Sequence, residues 1–379
     1  MKNRMRNTIL RNTILRWLWV CAASLVATTT VQAAPIAMTP DNWTLSEQGA
    51  SFEQHMGRTA IKLNGGNAVL MGQSFKNGII EFDIAMPAAR GFAGLFFRER
   101  EGQNAEEFYL RSHLSGMPDA NQYTPVFNGL NAWQLLHGPR YSAPTDYRFD
   151  TWTHVKLVVK DNRMDVYIDS DDPVLHVDNL FHGTSEGGIR LRGAVADYYY
   201  SNVNVTPDDG VKLVGSAAPL PNLPKNLITR FAVGNRVVSS AGVEGTAALN
   251  PDLLEGQEWQ WLEVGETGAA DLAGLASRTR EMNTQLVRMA ITADKAQTLE
   301  LAYGYSDRAT VFLNGRAIAH GDNTYASRDY RYLGTIGLFD SVFLPLEAGE
   351  NEVVIAVSEA FGGWGIMASA SVPKGVSVH

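Results

Sequence analysis

The chain has 379 residues, 32 Lys and Arg against 40 Asp and Glu, a formal net charge of −8 and one cysteine. An acidic balance of this kind argues against nucleic acid or an anionic membrane surface as the main partner. A lone thiol excludes an intrachain disulfide framework and a cysteine metal site, so a core of ordinary size must hold the fold together.

Residues 1–33 carry Lys2, Arg4, Arg6, Arg11 and Arg16 without an acid, then an apolar run from Trp17 to Ala27, then small residues at the cleavage positions of VQA-A. This is the pattern of a secretory signal peptide with cleavage after Ala33. The apolar run is too short for a permanent transmembrane anchor. Cys21 leaves with the leader, and the 27 remaining basic residues against 40 acidic ones give the exported form a charge of −13. The expected location is secreted or periplasmic.

Beyond the leader, Trp43 to Gly57 and Thr59 to Leu70 read as short strands, broken by Gly65-Gly66. In NGIIEFDIAMP (77–87), Ile80, Phe82, Ile84 and Met86 form an apolar face and Glu81 and Asp83 point away; GFAGLFFRER (91–100) follows as the next strand and ends in Arg98 and Arg100. The stretch from Glu106 to Gly138 holds the densest potential binding chemistry. In FYLRSHL, period-two alternation puts Phe108, Leu110 and Ser112 on one face and Tyr109, Arg111 and His113 on the other. A flat ring, a five-donor fork and a titratable imidazole suit a polar small-molecule or sugar site. The bland alternative is a solvated sheet face. The loop and the run after it add Asp119, Gln122, Tyr123, Asn128, Trp133, Gln134 and His137. Further on come TWTHVKLVVKD (151–161), RMDVYID (163–169), GIRLRG (188–193) and ADYYYSNVNV (196–205). In GIRLRG, Ile189 and Leu191 face the core, so Arg190 and Arg192 share the opposite face. Arg98, Arg111 and Arg192 are expected on one concave surface, with Glu106, Glu107 and Asp119 as candidate compensation.

Strands every 8 to 12 residues or so and no long helical period before residue 206 indicate an all-β sandwich. FKNGIIEFDI (75–84), GLFFR (94–98), WTHVKLVVKDNRMDVYIDSDDPVL (152–175), GGIRLRG (187–193) and YYYSNVNV (198–205) resemble the concanavalin A-like, laminin-G-like jelly roll, including bacterial 3-keto-disaccharide hydrolase domains. That resemblance implies a β-sandwich over residues 36–206. Residues 207–226, rich in Pro, Gly and Ser, read as a linker. From residue 227 to 372, the Asn314-Gly315 hairpin, the turn at Gly349-Glu350-Asn351 and the alternating Val353, Ile355 and Val357 give a second set of strands. VFLNGR, LPLEAGENEVVIAV and GGWG resemble the galactose-binding-like jelly roll that accompanies many glycoside hydrolases. The overall expectation is all-β, two jelly-roll sandwiches in tandem.

Three chemistries compete for the first sandwich. Glu81 and Asp83 form an E-x-D on one strand, but the further carboxylate that a family 16 retaining glycosidase places four or five residues on is replaced by Ala85 and Met86. Glu106, Glu107 and Asp119 beside His113 and His137 supply acid and base for hydrolysis or elimination. Asp169, Ser170, Asp171 and Asp172 form an oxygen-rich turn of the kind that holds calcium, or simply a solvated one; no other cofactor is expected. The leading expectation is a carbohydrate-binding protein selective for acidic glycans. Behind it stand a glycan-degrading hydrolase or lyase acting at the same surface and a cell-envelope module that binds protein.

Overall fold

A computed structural model describes residues 34–101, 103–329 and 334–379. The leader and Cys21 lie outside these residues. Residues 34–379 form one compact unit, and among those described strands dominate, with only single-turn 3₁₀ segments as helix.

The first sandwich pairs a seven-stranded sheet with an eight-stranded one among the described residues. The seven-stranded sheet is centred on Gly78–Ala85, flanked by Trp152–Lys160 and Tyr198–Pro207. Its partner runs from Trp43–Leu45 through Gly66–Leu70, Gly188–Ala194, Phe92–Arg100 and Asn104–Arg111 to Asn121–Phe127 and Ser142–Ala143, and Leu130–Asn131 pairs off the Asn121–Phe127 strand. Alternation decides what each strand buries. Ile80, Phe82 and Ile84 meet Leu95, Phe108 and Leu191 in one cluster of side chains at most 1% exposed. With each fully buried Leu or Phe contributing about 1.5–3 kcal/mol, this cluster outweighs the scattered surface ion pairs, worth about 0–1 kcal/mol each.

The second sandwich sets an eight-stranded sheet, including Met282–Ala293, Gly349–Ser358 and Arg308–Leu313, against a four-stranded one led by Gly365–Ser371 and Gln297–Ser306. The Asn-Gly turn is as expected, with φ of 50° at Asn314 and 77° at Gly315, the left-handed pair a type I′ hairpin requires. Trp364 is fully buried and its indole donates to the Val357 carbonyl at 3.0 Å; it belongs to the core.

The segment between the sandwiches is tied down. The N–H groups of Val214 and Gly215 donate to the Asp165 carboxylate at 2.7 and 3.1 Å, and Arg140 donates to the Ala218 carbonyl at 2.6 Å. The sandwiches also exchange apolar side chains. Ala269, Ile336 and Met367 join the first core, while Phe127 and Leu130 pack against the second. The contact brings loops of the second sandwich over one face of the eight-stranded sheet of the first.

Candidate functional site

The register of that sheet places one row of side chains side by side. Gln122 pairs with Tyr109, Tyr109 with Gly94, Gly94 with Arg192, and Arg192 with Asn67. The row on one side holds Arg111, Phe92 and Ala194, and the row on the other holds Glu107, Phe96 and Arg190. Gly94 is the gap that lets this face work: a Cβ there would lie 2.9 Å from the Tyr109 Cβ. Without it, the Arg192 guanidinium reaches 5.8 Å from the Tyr109 ring centre and 5.7 Å from that of Phe96, a cation over aromatic faces.

Tyr109 and Arg111 are locked before any ligand arrives. The Tyr109 hydroxyl donates to Gln122 Oε1 at 2.8 Å; Arg111 donates to that same oxygen, to the Tyr109 hydroxyl at 2.5 Å and to the Asp119 carbonyl at 2.6 Å. Gln122 in turn donates to the carbonyls of Trp133 and Leu136 at 3.2 and 2.6 Å. Burial holds the Tyr109 phenol protonated, its pKa pushed well above the ordinary range. The strand ends at Arg111, and His113 sits on a single 3₁₀ turn, Ser112–Leu114, with its ring edge-on to Phe92 at 5.3 Å. Burial and the nearby Arg90 lower its pKa, so it is neutral at pH 7.

These residues form one side of a cleft of about 570 Å³, a size ordinary for small-ligand sites. The second sandwich supplies the other side with Arg278, Tyr325, Phe361 and Gly362. Trp133, Tyr325 and Phe361 stand edge to face with centres 5.7 to 6.5 Å apart, a favourable arrangement for three rings. Arg90 bridges the two sides by donating to the Tyr325 hydroxyl at 3.0 Å. Phe361 is 56% exposed although its backbone is fixed. The N–H groups of Ala360 and Phe361 each donate to Asp307 at 2.7 Å, and that of Gly363 donates to Gln134 at 2.8 Å.

The charge of the cleft runs against that of the chain. Among the described residues, Arg90, Arg111, Arg192 and Arg278 line it, with Asp119 as the one carboxylate. Asp119 approaches Arg111 only to 3.7 Å, and Glu107, beneath the surface, lies 3.2 Å from Arg192. Arg90 and Arg278 form no ion pair among the described residues; Arg278 donates instead to the Ala360 carbonyl at 2.8 Å.

Of the residues singled out from the sequence, Tyr109, Arg111, His113, Asp119, Trp133 and Arg192 line this cleft, and Gln122 braces it from behind. Others are placed elsewhere. Arg98 is fully buried: a bulge with φ of 54° turns it inward, where it donates to the carbonyls of Lys76, Asp161 and Gly183 and to Asn77. Tyr123 pairs with Phe108 and so faces the core, donating to Glu106 at 2.6 Å. Glu106 shares that face, and burial lifts its pKa to about 7. Asn128 occupies a turn at φ 51° and donates to the Ala273 carbonyl at 2.8 Å. Gln134 is buried between the sandwiches, and His137 lies 3.4 Å from the Ile336 carbonyl with its pKa lowered by burial.

Glu81 and Asp83 lie on the other sheet, where His154 joins them at 3.7 and 2.8 Å and is raised to about 9 by hydrogen bonds to Asp83 and Glu81. In the Asp169 turn, one carboxylate oxygen accepts from the His154 N–H at 2.9 Å and the other pairs with Arg148 at 2.6 Å. Among the described residues no group of three or more acids, histidines or cysteines is arranged to hold a metal ion, and no helix is long and apolar enough to cross a membrane. Sequence reading missed Arg90, Phe92, Arg278, Tyr325 and Phe361. Phe92 was legible as the neighbour of an alternating strand; the last three come from loops of the second sandwich that carry no periodic signal.

Residues 38–206 match the family model of the 3-keto-alpha-glucoside-1,2-lyase-like domain. The match covers the first sandwich, and therefore the sheet side of the cleft but not the wall built by Arg278, Tyr325 and Phe361. No curated protein matches the chain. Among solved structures, the carbohydrate-binding module CBM66 of Bacillus subtilis is 18% identical over 43% of this chain and 93% of its own, with a TM-score of 0.33. The β-glucanase of Bacillus licheniformis is 11% identical over 45% and 94%, TM-score 0.33. A family 16 endo-glucanase of Bacteroides ovatus is 13% identical over 43% and 94%, TM-score 0.29.

Proposed function

We propose that this is an exported carbohydrate-binding protein that takes acidic glycans, uronate-bearing or sulfated, in the cleft between the two sandwiches. Among the described residues, four arginines against one carboxylate in an aromatic-lined cleft carry the reading. Clustered guanidiniums repel one another unless an anion compensates them, and their planar fork suits carboxylate and sulfate. Trp133, Tyr325 and Phe361 offer the apolar faces that sugar rings stack on. The basic, then apolar, then small-residue pattern of 1–33 supports export. Affinity chromatography of the full chain on polygalacturonate, alginate, heparin and neutral glucans tests it. Retention by the acidic matrices that weakens with salt is expected, and equal retention by neutral glucans would refute the charge preference.

A second reading is a glycan-cleaving enzyme, for which the neutral His113 beside Arg111 and Tyr109 is the supporting observation: a base, a carboxylate-neutralising cation and a phenol share one cleft. The lyase-like family match supports it too. New unsaturated or reducing ends in the same incubations would favour it over binding alone.

A further inference from the structure

The cleft continues past Arg192. A second hollow of about 340 Å³ adjoins it and shares Gly129, Asn131, Arg192 and Ala194 with the first. Its character is more polar: Asn67, Gln103 and Arg190 line it, and its one aromatic ring among the described residues, Phe96, lies 3.8 Å beneath the Arg190 guanidinium. Arg190 is already neutralised by Glu99, which takes hydrogen bonds of 2.6 to 3.0 Å from its Nε and Nη2.

Arg192 stands at the junction. Its Nη1 lies 3.2 Å from Oε1 of the fully buried Glu107, whose Oε2 accepts from Asn131 at 3.3 Å, so the guanidinium is anchored from beneath. Its side chain is still 26% exposed and lines both hollows, as Asn131 does, so a ligand that meets these two residues can reach into both.

We infer that the ligand is a chain of at least two sugar residues lying across both hollows. The residue that carries the anionic group sits in the first hollow, among Arg111, Arg278 and the aromatic wall. Its neighbour, which need not be charged, sits among Asn67, Gln103 and Arg190. An oxygen between the two rings accepts from the exposed part of the Arg192 guanidinium. A single residue would leave either the aromatic wall or the polar second hollow unused. This rests on the acidic-glycan reading of the cleft.

The test uses the full chain and fragments of one to four residues, cut from an acidic polysaccharide that the matrices retain, with affinities read by calorimetry. The expected result is at least a tenfold gain from the monomer to the longer fragments. Asn67→Trp and, independently, Gln103→Trp fill the second hollow and should bring that ratio close to one, with circular dichroism reporting that each variant is folded. A wild type that binds monomer and tetramer equally would overturn the inference, as would folded variants that keep the tenfold gain. Absence of binding to every acidic fragment and matrix would instead remove the charge reading beneath it.

Discussion

Gln134 of the first sandwich and Gly363 of the second are joined by a hydrogen bond: the Gly363 N–H donates to the Gln134 side-chain oxygen over 2.8 Å, and the Ser306 hydroxyl donates to the same oxygen over 3.0 Å. Both donors are buried, and Gly362, between Gly363 and the ring of Phe361, has no space for a Cβ against Gln134. One side chain thus fixes the aromatic wall of the cleft to the sheet that forms its floor. Gln134→Leu should leave the Gly363 N–H without its acceptor and Ser306 with only Asp307 at 3.3 Å, and cost about 1–3 kcal/mol of stability, read by urea unfolding. Acidic-glycan affinity should fall with it even in conditions where the variant is fully folded.

Arg278→Ala is expected to weaken acidic-glycan binding by about tenfold or more, the worth of one charge-assisted hydrogen bond, and to reduce its salt dependence. Arg278 forms no ion pair among the described residues, although its charge acts on the buried Glu359, so the loss of affinity should exceed any loss of stability. Calorimetry at two salt concentrations checks both, and unaltered affinity would show that the second sandwich does not touch the ligand.

Arg98 should behave in the opposite way. Its guanidinium donates five hydrogen bonds inside the first sandwich, so Arg98→Met abandons several buried acceptors at once. A loss of about 3–5 kcal/mol is expected. Glycan affinity of the molecules that remain folded should not change.

Glu106 predicts a pH dependence. Burial raises its folded-state pKa from 4.5 to about 7, so between those values the folded state holds a proton that the unfolded chain has released. Stability therefore declines as pH rises through this window, by up to ~3 kcal/mol. Thermal melts from pH 4.5 to 8 should show this decline in the wild type and a flatter profile in Glu106→Gln. A wild type whose stability rose with pH across the window, by the same amount in the variant, would contradict the assignment.

The sequence by itself determined the two sandwiches and the outward face of the critical strand. Both rest on local alternation: Phe108 and Leu110 go inward because a pleated strand sends every second side chain to one side, and Tyr109 and Arg111 must then face the other. Tyr123, expected on the loop beyond that strand, lies instead on Asn121–Phe127 and faces the core. Its neighbour across the strands is Phe108 and not Tyr109, and pairing is a property of two strands that neither contains alone. Arg98, expected on the concave surface at the end of its strand, is turned inward by one bulge. Only the tertiary structure decided that Arg278, Tyr325 and Phe361 close the site. They lie on separate loops of the second sandwich, far from the strand they face, and long-range packing between two cores brings them there. The surplus of positive charge in the cleft was likewise a tertiary fact, since it depends on Glu106 turning inward, Glu107 pairing with Arg192, and Arg90 and Arg278 arriving without an ion pair among the described residues.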